Sequence, residues 1–117
     1  GVRAVEDPAV IDLLVERQVV CDIAPTSNEV LQVIPAFADS PVQLFLERGI
    51  PFTINADDSL FFGSGIGNEY VRVAEAFGLS DGEMADLART SVRASFAPEP
   101  VKQRILGEID AWETGEV

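Results

Sequence analysis

The chain has 117 residues, 47% of them hydrophobic, and a formal charge of −12 from twenty acidic against eight basic side chains. That is enough apolar material for one small core, and the negative field repels phosphate backbones and anionic lipid surfaces, so nucleic-acid and membrane partners are excluded. One cysteine, Cys21, rules out an internal disulfide, and histidine, the commonest metal ligand and general base, is absent, which makes a complete hydrolytic site within this chain improbable.

The first helix signal is Asp7-Pro8, an N-cap followed by proline at the first helical position, which predicts a helix over about 8–17 carrying Val10, Ile11, Leu14 and Val15. Val19 to Ala24 is a short, β-branched and mostly apolar run, expected to be a strand over about 19–24 buried on both faces. Cys21 inside it is expected to be a buried structural thiol. A loop is expected at Pro25-Thr26-Ser27-Asn28. Ser40-Pro41 repeats the cap-plus-proline signature and predicts a helix over about 41–48, closed by a left-handed Gly49. A second short strand, about 51–55, follows at once, with Pro51 tolerable only near its start.

Beyond Asp58 the pattern is helical. A helix over about 66–77 presents Tyr70, Val73, Ala74 and Phe77 and stops at Gly78. Ser80 and Glu83 form a capping box for a helix over about 81–96, with Met84, Leu87, Ala88, Val92 and Phe96 on its apolar side. The last helix, about 98–112, carries the stripe Val101, Ile105, Leu106, Ile109 and Trp112, and Trp112 is expected to pack rather than to stack on a ligand. The polar tail from Glu113 reads as a frayed terminus.

The order strand, helix, strand implies a parallel crossover, because parallel neighbours cannot be joined by a tight hairpin. Two parallel strands with apolar centres need more strands beside them and cover on both faces, so the fold class expected is α/β, with the missing strands supplied from elsewhere, as in an α/β barrel. The chain opens Gly1-Val2-Arg3 without methionine. In that architecture the chemistry sits where strands end, here at Pro25 to Asn28 and at Asn55 to Asp58.

Asn55-Ala56-Asp57-Asp58 is the sharpest element. Two adjacent carboxylates repel and call for a cation or donors, yet an arbitrary Asn-x-Asp-Asp is more often a turn or a helix cap bonding its own backbone, and spacing alone favours that reading. The surrounding residues change the balance. Ile23-Ala24-Pro25-Thr26-Ser27-Asn28 and Asn55-Ala56-Asp57-Asp58 resemble two signatures of the adenosine deaminase family, and Phe62-Gly63, Glu69-Tyr70, Ala76 to Leu79 and Ser91 to Phe96 extend the resemblance in order along the chain. Gly1-Val2 is similar to the residues that follow the histidine of the family's Gly-His-Gly motif. Ala24, Ala56 and Ser59 depart from the family's usual cysteine, threonine and proline.

The resemblance implies a (β/α)8 barrel of which residues 1–117 form one C-terminal segment, the last two strands and the C-terminal helices, and one zinc ion held by three histidines from outside this chain and by an aspartate, matched here by Asp57. It implies that Asp58 binds the substrate's purine ring, and that activated water attacks the amino-bearing purine carbon of adenosine, giving inosine and ammonia. The general acid/base glutamate and the catalytic histidine fall outside the chain, so no catalytic residue lies within it. The chain alone is expected to be inactive, and its partner is the complementary N-terminal segment of the same barrel. Ser27 and Asn55 are candidates for groups that orient the metal-bound aspartate or the substrate; Asn28 reads better as a loop or cap residue, and Ser27 stands open between the two. Adenine or another aminopurine is an alternative substrate, and an acidic, mostly helical interaction module without catalysis is an alternative of a different class. Lack of a signal-peptide pattern and the lone thiol place the expected protein in the cytoplasm.

Overall fold

The computed structural model describes residues 1–116. A 3-10 turn over Val2–Glu6 leads into α1 (Pro8–Arg17), then β1 (Cys21–Ile23), α2 (Pro25–Val30), a second 3-10 turn (Phe37–Asp39), α3 (Val42–Arg48), β2 (Phe52–Ile54), α4 (Ser59–Phe62), α5 (Ile66–Phe77), α6 (Asp81–Ala94) and α7 (Glu99–Thr114). The two strands pair in parallel, Cys21 against Phe52, Asp22 against Thr53 and Ile23 against Ile54, so the connection between them is a crossover through α2 and α3.

Alternation along this ribbon separates two faces. Cys21, Ile23, Phe52 and Ile54 face the helices and pack with Ile11, Val42, Phe45, Ile50, Val73 and Leu87 into one core. Val42, Phe45 and Val73 are wholly buried there, and the Phe45 and Phe52 rings meet edge to face at 5.9 Å. The opposite face carries Asp22 and Thr53, polar residues that a core strand would not hold, and it points away from the helical layer.

β1 is shorter than the run 19–24. Gln18 takes a left-handed conformation at φ 50°, and the Val19 amide donates to Leu14 O at 3.3 Å, so α1 uses a donor the ladder would need. Val19 and Val20 are left substantially exposed. At the other end the Ala24 carbonyl accepts from Asn28 N at 2.9 Å, which starts a helix instead of extending the strand. The expected loop at Pro25–Asn28 is therefore α2, with Pro25 at its first position, where a missing N–H costs nothing. Pro51 stays outside β2 but lends its carbonyl to Cys21 N at 3.0 Å.

Three further expectations need correction. Ser40 does not cap α3: its hydroxyl is buried without a partner, and the helix starts one residue later behind Pro41. α6 ends at Ala94, where the Ser95 hydroxyl donates to Val92 O at 2.7 Å, and Phe96 beyond it is fully exposed rather than part of an apolar stripe. No residue of α7 is fully buried; Trp112 is 51% exposed on a groove between α5, α6 and α7. The α6–α7 pair is tied instead by Arg89, which donates to Asp86 at 2.8 Å, to Asp110 at 2.7 Å and to Glu113.

Where local signals act alone they position the helices directly. Asp7 accepts from Ala9 N at 2.9 Å at the start of α1, and Gly49 and Gly78 take the left-handed caps of α3 and α5 at φ 67° and 64°. The Ser80 hydroxyl accepts from Glu83 N at 3.2 Å at the start of α6. Ser80→Ala removes that acceptor from an exposed helix end and is expected to cost about 1 kcal/mol, read as a lower urea midpoint at unchanged m-value.

Candidate metal and substrate site at the strand ends

The C-terminal ends of β1 and β2 open into a polar cleft of about 440 Å³, lined among others by Gly1, Asp22, Asn28, Asn55 and Asp57. A second groove of about 470 Å³ between α5, α6 and α7 is lined by side chains such as Met84, Ile105, Ile109 and Trp112. Its lining is mainly apolar, with Asp81 and Glu108 among the apolar side chains, whereas the strand-end cleft combines carboxylates and amides, which is the pattern of a site that orients a polar ligand.

Asp57 stands just past β2 with φ 52°, a left-handed conformation that few non-glycine residues adopt. Its carboxylate is exposed to the cleft and makes no hydrogen bond or ion pair among the described residues. A carboxylate held in a costly backbone conformation without a local bonding partner is available to a ligand. Asp58 is differently employed: its Oδ1 accepts from Phe61 N at 3.0 Å and caps α4, and it does not line the cleft. The turn-and-cap reading therefore describes one oxygen of Asp58 and does not describe Asp57.

Asn55 is fixed from below. Its side-chain amide donates to Thr53 Oγ1 at 2.8 Å and to Thr53 O at 3.2 Å, and the Thr53 hydroxyl in turn donates to Asp22 Oδ1 at 2.6 Å. This chain of bonds crosses the open face of the ribbon from β2 to β1 and holds Asn55 against the floor of the cleft. Asp22 and Thr53 went unassigned from sequence, although their polarity within apolar runs, at paired register, was a usable signal.

At the end of β1 the structure brings Asn28 rather than Ser27 to the cleft. Ser27 is 2% exposed, its hydroxyl lacks a partner and it does not line the cleft, while Asn28 does, with a buried Oδ1 that also lacks a partner. Because α2 is a helix, successive side chains point about 100° apart, so only one of the pair can face the cleft. Gly1 lies against β1 so closely that a Cβ built on it would come 2.8 Å from the Cys21 Cβ, and a side chain does not fit. Cys21 is 6% exposed, and burial pushes its thiol above the ordinary cysteine range, so it is a structural thiol rather than a nucleophile.

Among the described residues no three histidine, cysteine, aspartate or glutamate side chains converge to bind an ion. The unbonded Asp57 carboxylate would fit one anionic position of a metal site if other ligands were supplied to it, and the Asn28 Oδ1, without a partner among the described residues, marks a polar wall beside it.

The family model for adenosine deaminase matches residues 1–112. The chain belongs to the adenosine deaminase family. A Streptomyces coelicolor relative named for adenosine/adenine deamination is 45% identical over 112 residues, covering 96% of this chain and 33% of its own length. The aminodeoxyfutalosine deaminase of the same organism is 38% identical over 112 residues, covering 96% and 29%. The crystal structure of adenine deaminase from Arthrobacter aurescens superposes with a TM-score of 0.90 at 33% identity, covering 96% of this chain and 34% of that one. The chain thus spans about a third of the length of these adenosine deaminase family members, their C-terminal portion, and its α/β fold is that of a fragment of their barrel. No helix among the described residues is long and apolar enough to cross a membrane.

Proposed function

We propose that the protein carrying this chain is a zinc-dependent hydrolase that deaminates adenosine to inosine and ammonia. The observation that carries the reading is the coincidence of the family match over residues 1–112 with an unbonded, left-handed Asp57 at the strand-end cleft. Asp57 supplies one carboxylate to the metal, and the remaining ligands come from histidines of the complementary N-terminal barrel segment. A zinc ion, when bound, lowers the pKa of the attacking water and so makes a nucleophile available at neutral pH. The water oxygen bonds to the amino-bearing purine carbon, the bond to the exocyclic nitrogen breaks, and ammonia leaves with the transferred protons.

This chain's own residues bind and orient. Asp58, exposed next to Asp57 but outside the cleft lining, offers its oxygen not engaged in capping α4 to a purine ring nitrogen at the cleft's edge, Asn55 is held rigid by Thr53 and Asp22 to define the floor, and Asn28 offers an acceptor at the wall. The reaction is placed in the cytoplasm, which the lone buried thiol suits. Adenine is the second reading, supported by the adenine deaminases among the relatives, such as the Sinorhizobium medicae enzyme at 38% identity over 109 residues.

The test is ammonia release by the intact protein from adenosine, adenine and other 6-aminopurines, with zinc analysis of the same sample. Turnover of adenosine with about one zinc per barrel supports the first reading, preference for adenine supports the second, and no release from any aminopurine overturns both. Asp58→Asn separates substrate binding from capping, because asparagine caps a helix as well as aspartate does. Loss of one charge-assisted bond to the purine predicts about a 10- to 100-fold lower kcat/KM. Unchanged kcat/KM would leave Asp58 as a cap alone.

A further inference from the structure

We infer that Glu69 of α5 is a positioning residue that ties together the two segments that carry Asn28 and Asp57 to the strand-end cleft. Glu69 is wholly buried, and its two oxygens accept from two different segments: Oε2 from Thr26 N at 3.2 Å and Oε1 from the Ser64 hydroxyl at 2.5 Å. Thr26 lies in the first turn of α2, which follows β1 and delivers Asn28 to the cleft. The N-cap of α2, Ala24, has no side chain able to accept a bond, so a carboxylate 43 residues away in sequence takes that place. Ser64 closes the segment that runs from Asp57 through α4, and its hydroxyl also accepts from Asn68 at 2.9 Å.

The chemistry needs a side chain that bonds to both segments at once. The carboxylate does so by accepting from a backbone N–H and from a hydroxyl, and an apolar side chain does neither. No ion pair reaches Glu69 among the described residues; Arg72, one turn along α5, is directed to Thr26 Oγ1 at 2.6 Å and Glu29 at 3.0 Å and lies over the Phe37 ring. A buried carboxylate without a cation is a costly way to stabilise a helix pair, and an apolar side chain at this position would pack α5 without that cost. What the carboxylate adds is a fixed relation between the first turn of α2, which leads to Asn28, and the segment that runs from Asp57 to Ser64.

The consequence for turnover rests on the deaminase reading, whereas the anchoring itself does not. The test is hydrogen exchange by mass spectrometry on the intact protein, with steady-state kinetics on the preferred aminopurine. Glu69→Leu, of similar size and without an acceptor, is expected to speed amide exchange in both segments 25–28 and 59–64, by about tenfold where the bond is lost. Ser64→Ala is expected to loosen 59–64 and leave 25–28 at the wild-type rate. In Glu69→Leu kcat falls about tenfold or more while KM stays within a few-fold, because misplaced groups slow the step more than they weaken binding. Wild-type exchange in Glu69→Leu, or loosening of 25–28 in Ser64→Ala, overturns the anchor. Faster exchange with unchanged kcat overturns the positioning role. If the wild type turns over no aminopurine, the deaminase reading fails and the exchange result alone decides the anchor.

Discussion

Asp57→Gly in the intact protein is expected to lose zinc and turnover together while the fold persists. Glycine is the informative replacement because residue 57 sits at φ 52°, where alanine would add strain of its own and glycine relieves it. The side chain is exposed and bonds to no other described group, so its removal leaves no cavity and no orphaned partner. Stability should therefore stay within about 1 kcal/mol of wild type, while kcat/KM falls about a thousandfold or more, equivalent to about 4 kcal/mol of transition-state stabilisation. Asp57→Asn keeps the shape and the left-handed tolerance but removes the charge, and should lie between the two in zinc affinity. Zinc content measured by mass spectrometry on folded material is the primary readout. Retention of one zinc per barrel in Asp57→Gly would remove Asp57 from the ligand set and leave its backbone conformation without an explanation in metal binding.

How much of this was legible in the sequence follows from how local each signal is. The Asp7-Pro8 start, the Ser80/Glu83 box and the Gly49 and Gly78 stops depend on bonds within a few residues, and these positions behave as their local chemistry dictates. Ser40-Pro41 carries the same cap-plus-proline pattern as Asp7-Pro8 and fails as a cap, because the serine hydroxyl is buried without a partner among the described residues. The strand ends depend on competition: Val19 and Ala24 are apolar enough for a strand, but α1 takes the amide of one and α2 the carbonyl of the other. α2 itself has no apolar periodicity, and its first turn is completed by Glu69 from α5, a tertiary contact that no window of sequence contains.

The same distinction applies to the site. Asp57 and Asn55 reach the cleft because they end a strand, and strand ends are where a parallel sheet with helical connections gathers its polar groups. Ser27 and Asn28 are neighbours whose placement turns on the helical rotation between them, which a loop over 25–28 does not contain. The Asp22–Thr53–Asn55 chain required the strand register, Asp22 against Thr53, before its members could be seen as one unit. Glu69 belonged to a recognisable pair with Tyr70, but its function as a double acceptor exists only once α2 and the segment after α4 are brought to it.

Phe45→Ala should produce the opposite pattern to Asp57→Gly. Phe45 is wholly buried in α3, edge to face with Phe52 of β2, and is surrounded by the same core that holds Ile23, Val42 and Leu87. Truncation removes a ring's worth of transfer energy and leaves a cavity behind β2 that α3 can only partly collapse, which together are expected to cost about 3–5 kcal/mol. Phe96→Ala is the matched control: the same chemical change at a fully exposed position should shift stability by no more than about 0.5 kcal/mol. Urea unfolding of the intact protein, followed by tryptophan fluorescence, gives both values. Below its lowered transition the Phe45 variant should still carry zinc, because the ring touches the helix side of β2 and the Asp57 carboxylate lies beyond the strand's end, facing the cleft. A folded Phe45→Ala protein without metal would mean that packing behind β2 sets the position of Asp57; one that keeps its metal while losing stability assigns support of the strand to the core and ligation to the turn that follows it.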